Sequence, residues 1–413
     1  MLLALAAGHA AVVACEPHCS RPCHELNGDV YIECGGCADT AEWQCRPAVW
    51  SHKHDGMSPN ASTWSHKPAF DRDTCSDGSS TLQGVDQTVE QTVEQRAKAA
   101  IVGAWVADAA TMGLHWIYDP ADIHRRLAGR MPEFFEPPSS PDYGSHTEHA
   151  AFYRSGANSP YADEVLPLLR SIAHEGRLDA RLFAIASTAF LGSYGGYMNS
   201  VMRRFVAAEK SGVHWPRSAV RDRQAHALVK VPALSARYAG SPELALRVEE
   251  AIRVHQDDEV AVAVGVAAAK ILERVILGAS VAEALAWASG AGSEVQQGSI
   301  RTSELVAQAL CGSGGCDFSA EAAADLFGRD CTLPGAFQLA LHIVAGCVGY
   351  ATGIRDNILA AGDQSSRAMF IGALLAAEQG YGAIPSNWKA KVESNRLAEV
   401  ERLSERLVRA RDV

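Results

Sequence analysis

The chain has 413 residues, 47% of them apolar and 7% aromatic, which suits one large domain with an ample core, alone or beside a small one. A formal net charge of −11, with lysine and arginine scattered along the chain, weighs against a nucleic-acid groove and leaves room for a local anion site. Beyond the first residues no run is apolar for long enough to span a membrane.

Residues 1–14, MLLALAAGHAAVVA, have the short apolar character of a signal-peptide core but lack a basic start. The expectation is a secretory or organelle-targeted protein, or a cytoplasmic one if this is not a true leader. Residues 15–46 contain Cys15, Cys19, Cys23, Cys34, Cys37 and Cys45 in a stretch too short to bury its own core. Disulfides are the expected staple, and zinc at Cys34-Gly-Gly-Cys37 is the competing reading. Cys75 is left over, and Asn60-Ala61-Ser62 is a glycosylation sequon for a chain in the secretory route. Residues 47–95 hold no hydrophobic period and read as a linker, ending in a TVEQTVEQ duplication at 88–95 that can start a helix.

The body is placed at 96–395, followed by a charged C-terminal helix at 396–413. A small-residue helix runs from about Arg96 to Asp108. Residues 129–160, rich in Pro, Gly, Ser and His, read as a long loop serving a site. Helical periods follow at about 163–175, 180–192, 217–228, 242–254, 257–277, 280–289, 300–311, 333–351, 364–379 and 385–411. No strand period is evident. The predicted fold is therefore all-α, a single large globule of helices packed at steep angles. Ala368, Gly372 and Ala376 form a flat stripe against which a second helix can pack closely.

Four acidic turns carry the candidate chemistry: Asp108, Asp163-Glu164, Asp257-Asp258 and Asp363. Each can cap or complement a helix start. Together they raise the possibility of a shared cation site. Ser365 and Ser366 open the helix after Asp363 and are N-cap residue types. Arg367 follows them, so hydroxyls, helix N–H groups and a guanidinium could receive a phosphate there without a metal. His115 and His255 read as hydrogen-bonded structural residues rather than general bases. Cys311 and Cys316 frame a Gly-rich loop that an oxidising compartment could close, and Cys347 reads as buried packing.

Several motifs, taken jointly, resemble the ADP-ribosylglycohydrolase superfamily over about residues 96–395. They are Ala107-Asp108-Ala109, Tyr161-Ala162-Asp163-Glu164, Ala361-Gly362-Asp363-Gln364-Ser365-Ser366 with Gly372-Ala373, and Ile384-Pro385-Ser386-Asn387-Trp388. Within it, VADAATMGLHWIYDP, His226 to Pro232 and Gly362-Asp363-x-x-Ser366-Arg367 look most like the J-type crystallin and J-type selenoprotein branch. The resemblance implies an all-α fold, a pair of magnesium ions and hydrolysis of an ADP-ribosyl glycosidic linkage, on a small molecule or an ADP-ribosylated protein. On this likeness Asp163 and Glu164 are the candidate catalytic residues. Asp163, Asp363, Ser365 and Ser366 are the candidate metal ligands, and Asp108, Arg367, Asp257 and Lys230 the candidate substrate contacts.

The departures are specific. Ala162 stands where the family has a second acid in the metal turn, and Ser365 where it has one in the closing loop. Asp163 and Asp363 bring two negative charges, three with Glu164, against the four positive charges of two magnesium ions. One weakly held ion or none is expected, and the alternative is a non-catalytic, crystallin-like or nucleotide-binding protein. Either way, the bends at 161–163 and 362–363 must meet.

Overall fold

The structure, a computed structural model, describes residues 25–26, 29–30, 91–138, 147–290, 295, 299–310, 318–347 and 349–411. Contacts divide the chain into two units, Met1–Ser76 and Asp77–Val413. In the first, β1 (Glu25–Leu26) and β2 (Asp29–Val30) pair antiparallel with Glu25 opposite Val30. The leader, the cysteines from Cys15 to Cys75, the Asn60 sequon, Cys311 and Cys316 lie outside the described residues.

The second unit is all-α. Its first half contains α1 (Val93–Thr111), α2 (Pro120–Leu127), α3 (Pro160–Glu175), α4 (Ala180–Leu191), α5 (Ser200–Lys210), α6 (His226–Tyr238), α7 (Leu244–His255) and α8 (Glu259–Ile276). The second half contains α9 (Val281–Ser289), α10 (Thr302–Ala309), α11 (Ala320–Phe327), α12 (Gly335–Ala345), α13 (Tyr350–Leu359), α14 (Gln364–Gln379), α15 (Ser386–Lys389) and α16 (Ser394–Arg409). Among the described residues no helix is long and apolar enough to cross a membrane.

The TVEQ duplication does start a helix. Thr92 caps α1 by accepting from the Gln95 N–H, and the Gln95 side chain accepts from the Thr92 N–H, a reciprocal capping box. From Ala99 to Thr111 every residue of α1 is buried, and α14 is buried from Gln364 to Ala377. Helices apolar all round belong at the centre of a globule. These two pack on each other, with α6, α8, α12, α13 and α16 around them.

Their contact depends on glycine. A Cβ on Gly103 would lie 2.4 Å from Ala376 Cβ and 2.6 Å from the Gly372 carbonyl oxygen. A Cβ on Gly372 would lie 2.6 Å from both Ala107 Cβ and the Gly103 carbonyl oxygen. The small-residue stripe read at 368–376 is this contact. Gly372→Ala is expected to destabilise the fold by about 2–3 kcal/mol, because overpacking against backbone outweighs the roughly 1 kcal/mol that alanine gains in helix propensity. An unchanged urea midpoint would refute the close-packing account.

Several helix boundaries differ from those read in the sequence. The period at 217–228 overlaps only the start of α6. Residues 217–225 form turns and isolated bridges rather than a helix, with Val220 bridged to Gln256, and α6 continues through Pro232 to Tyr238. Helices α2, α5 and α11 were not expected. The run at 333–351 is two helices, α12 and α13, broken around Gly346 and Gly349. The run at 385–411 is the short α15 and then α16. Helix α16 is not an appendage: Val400, Leu403, Leu407 and Val408 are buried and it packs on α1 and α3.

Candidate functional site

Two loops build the floor of the site. The Trp116 N–H donates to the Gly362 carbonyl at 3.0 Å, and the Gly362 N–H returns to the Ile117 carbonyl at 2.6 Å. Trp116, Ala361 and Gly362 all take left-handed backbone angles, with φ of 67°, 63° and 79°. For two of them a side chain makes that conformation costly, and such local strain collects at functional sites. Gly362 has no alternative: a Cβ there would sit 2.0 Å from the Arg329 carbonyl oxygen.

The start of α14 is capped from across the floor. His115 Nδ1 faces the N–H groups of Gln364 and Ser365 at 3.2 and 3.4 Å. Accepting those donors requires the neutral ring, and burial holds the imidazole down at about 4. Neither serine serves as the N-cap. Ser365 Oγ pairs with Thr111 Oγ1 at 3.0 Å, and Ser366 Oγ donates to Asp363 Oδ1 at 2.8 Å.

The two bends meet. The Tyr161 hydroxyl donates to Asp363 Oδ2 at 2.9 Å, across 202 residues of chain. Asp363 is 2% exposed and both its oxygens hold hydroxyl donors from the protein. Burial and the Asp363 charge push the Tyr161 phenol well above its usual range, and the half-buried Cys331 thiol beside it is raised for the same reasons.

Asp163 lies in the first turn of α3, behind the Ser159 cap. Its carboxylate has partners other than those of Asp363. The Tyr194 hydroxyl donates to Oδ2 at 2.7 Å, and Arg396 Nη2 from α16 forms an ion pair with Oδ1 at 3.0 Å, off the hydrogen-bonding angle. Burial still raises the Asp163 carboxyl above its usual range, and Arg396 opposes that rise. Asp108 is fully buried near the end of α1. It accepts from Asn158 Nδ2, the Ser159 N–H and the Ser159 hydroxyl.

Three candidate substrate contacts and one candidate catalytic residue are placed differently from the expectation. Arg367 is 0% exposed, and its guanidinium donates to Asn357 Oδ1 and to the Arg329 and Ala361 carbonyls at 2.9, 3.2 and 2.6 Å. It supports the strained loop from beneath and cannot receive a phosphate. Lys230 is 0% exposed, donates to the His226 carbonyl at 2.9 Å, and is held down at about 8 by burial. Asp257 is exposed and paired with Arg253 at 3.0 Å, while its neighbour Asp258 caps α8. Glu164 is 1% exposed, with Oε1 2.7 Å from His226 Nδ1 and Oε2 accepting from Asn199. Arg367, Lys230 and Glu164 are closed off from a ligand by burial, and Asp257 lies at the surface in an ion pair. Cys347 is half-buried rather than buried packing, and its thiol donates to the Gly349 carbonyl.

The sequence reading missed Tyr194 and Arg396. Tyr194 stands before a Gly-Gly pair with no helical period to place it, and Arg396 lies in a helix read only as charged. It also missed a ring cluster at the same end: Trp116 lies 5.4 Å from Tyr197 and 5.6 Å from His149, which stack on each other at 3.8 Å. A separate groove of about 710 Å³ opens between α3, α4 and α16, and none of the site carboxylates lines it.

A magnesium pair needs several oxygens with unspent lone pairs arranged octahedrally. Asp108 and Asp363 have both carboxylate oxygens engaged by protein donors, and Asp163 has Oδ2 engaged by Tyr194 while Oδ1 faces the Arg396 charge. Among the described residues no group of three or more His, Cys, Asp or Glu is arranged to hold a metal ion. The residues present do not fit the dinuclear site that the resemblance implies.

Residues 89–413 match the ADP-ribosylglycohydrolase family over most of the chain. The chain belongs to that family. It is similar to two proteins of Tripedalia cystophora: Crystallin J1A, 29% identical over 76% of this chain and 96% of the relative, and Crystallin J1B, 26% identical over 71% and 90%. A solved ADP-ribosylglycohydrolase-related protein complex superposes with a TM-score of 0.57 at 17% identity, covering 77% of this chain and 98% of that one. That likeness shows the fold.

Proposed function

We propose that this ADP-ribosylglycohydrolase-family chain is a crystallin-J-like globule that keeps the family's loops but not its magnesium-dependent hydrolysis of ADP-ribosyl linkages. One observation carries the reading: both oxygens of Asp363 are bonded by hydroxyls of the protein, Tyr161 and Ser366. A carboxylate so satisfied has little to gain from a reluctantly dehydrating ion. Glu164, one of the two candidate catalytic residues, is sealed against His226. That leaves Asp163, whose Oδ1 accepts no hydrogen bond and is faced by the Arg396 guanidinium at 3.0 Å rather than by open solvent.

ADP-ribosyl-arginine and ADP-ribosyl-serine peptides, incubated with and without magnesium, test this. The expected result is no release of ADP-ribose above the blank in either case. Magnesium-dependent release would overturn the reading and restore the hydrolase. Binding without turnover is a second reading, favoured by the rings of Trp116, Tyr197 and His149 beside the site, which offer flat faces for a base. Calorimetry with ADP-ribose checks it: heat of binding is expected at equal strength with and without chelator.

A further inference from the structure

We infer that Arg396 is a resident cation of the site, supplying from the C-terminal helix the positive charge that a bound dication would otherwise bring to Asp163. The inference rests on the metal-independent reading above and gives it a mechanism.

Both carboxylate oxygens of Asp163 are spoken for, one by a full charge and one by a hydroxyl. The hydroxyl is the end of a relay. The Tyr197 N–H donates to the Tyr153 oxygen at 3.1 Å, and Tyr153 and Tyr194 hydroxyls are 3.0 Å apart. Tyr194 spends its proton on Asp163, so Tyr153 must donate to Tyr194. Every dipole in this relay therefore points its positive end toward the carboxylate. Arg396 adds a guanidinium on the other oxygen. Its side chain is 23% exposed and held by position: Glu399 lies 3.9 Å from Nη1 and itself pairs with Arg170 of α3 at 2.7 Å. One turn earlier Glu393 pairs with Arg154 at 2.8 Å. Residues 393, 396 and 399 are spaced three apart and so share one helix face. They fasten α16 to α3 and the loop before it, with Arg396 in the middle. A guanidinium and a dication at the same carboxylate repel each other at short range in a partly buried setting. The two are mutually exclusive occupants, and the chain carries one of them covalently.

Wild type, Arg396→Lys, Arg396→Met and Arg396→Gln are compared by thermal unfolding with and without millimolar manganese(II), and by electron paramagnetic resonance of manganese uptake. Wild type and Arg396→Lys are expected to melt at the same temperature with and without the metal. The neutral variants are expected to melt several degrees lower, to recover most of that loss with manganese, and to take the ion up; Asp163→Asn in either background should abolish the recovery. Neutral variants that show neither recovery nor uptake, whether or not they melt lower, would overturn the inference and leave the metal-independent reading standing. A wild type that binds manganese and is stabilised by it would overturn both.

Discussion

Replacing Arg367 by methionine is expected to cost about 3–5 kcal/mol of folding stability, read as a lowered urea midpoint. The side chain is 0% exposed and donates to three acceptors: Asn357 Oδ1 and the carbonyls of Arg329 and Ala361. Two of those carbonyls belong to the segments that hold the floor in place. Ala361 is left-handed, and the Arg329 carbonyl also receives the Asp363 N–H at 2.8 Å. Burial holds the guanidinium down at about 10, which leaves it charged at neutral pH. Methionine fills similar volume and relieves the desolvation of that charge, which offsets part of the loss. What remains is the cost of leaving the Ala361 carbonyl and Asn357 Oδ1 without this donor, together with a loop free to abandon its strain. Lysine would restore one bond at most, since a point charge cannot span three acceptors in different directions. A phosphate-binding role predicts the reverse pattern, with anion affinity lost and the midpoint intact. That pattern would refute the supporting role.

How much of this was legible from the residues differs by kind. The helical class followed from period and from the abundance of alanine. The stripe Ala368, Gly372, Ala376 announced its partner helix, because four-residue spacing of small side chains has few other uses. The convergence of distant bends followed from the family likeness, and the Tyr161–Asp363 bond at 2.9 Å realises it. What stayed hidden was burial. Arg367 after two serines reads as an anion receptor only while it is assumed to face solvent, and Lys230 and Glu164 misled in the same way. A sequence gives the type of a polar group and not the side on which its partners stand. His115 was read as structural, but nothing local shows that it caps a helix about 250 residues later in the chain. Arg396 is one of many charges on an amphipathic helix, and only packing selects it. The helix boundaries failed at Pro232, which continues α6, and at Gly346 and Gly349, where an apolar run conceals a break.

The other large effect is one of pH, and it concerns Asp108. Burial pushes its carboxyl up from 3.8 to about 7, although Ser159 and Asn158 donate to it and so favour the charged form. A group with a raised folded pKa binds its proton more tightly in the native state than in the unfolded one. Its contribution to stability is therefore complete below the unfolded value near 4 and is lost as pH rises through about 7. A rise of about three units corresponds to about 4 kcal/mol. Asparagine at this position is nearly isosteric and carries no charge. Its oxygen can accept from Asn158 and the Ser159 N–H while its amide donates to the Ser159 hydroxyl. The stability of Asp108→Asn relative to wild type is therefore expected to climb by about 4 kcal/mol between pH 4 and pH 9, most steeply between 4 and 7. Taking the difference between the two proteins removes the opposing contribution of His115, whose depressed value makes the fold lose stability as pH falls from 6.5 toward about 4. Urea unfolding of both proteins across that range measures it. A difference that stays flat would mean that Asp108 remains ionised throughout, and that its three donors outweigh the desolvation of a fully buried charge.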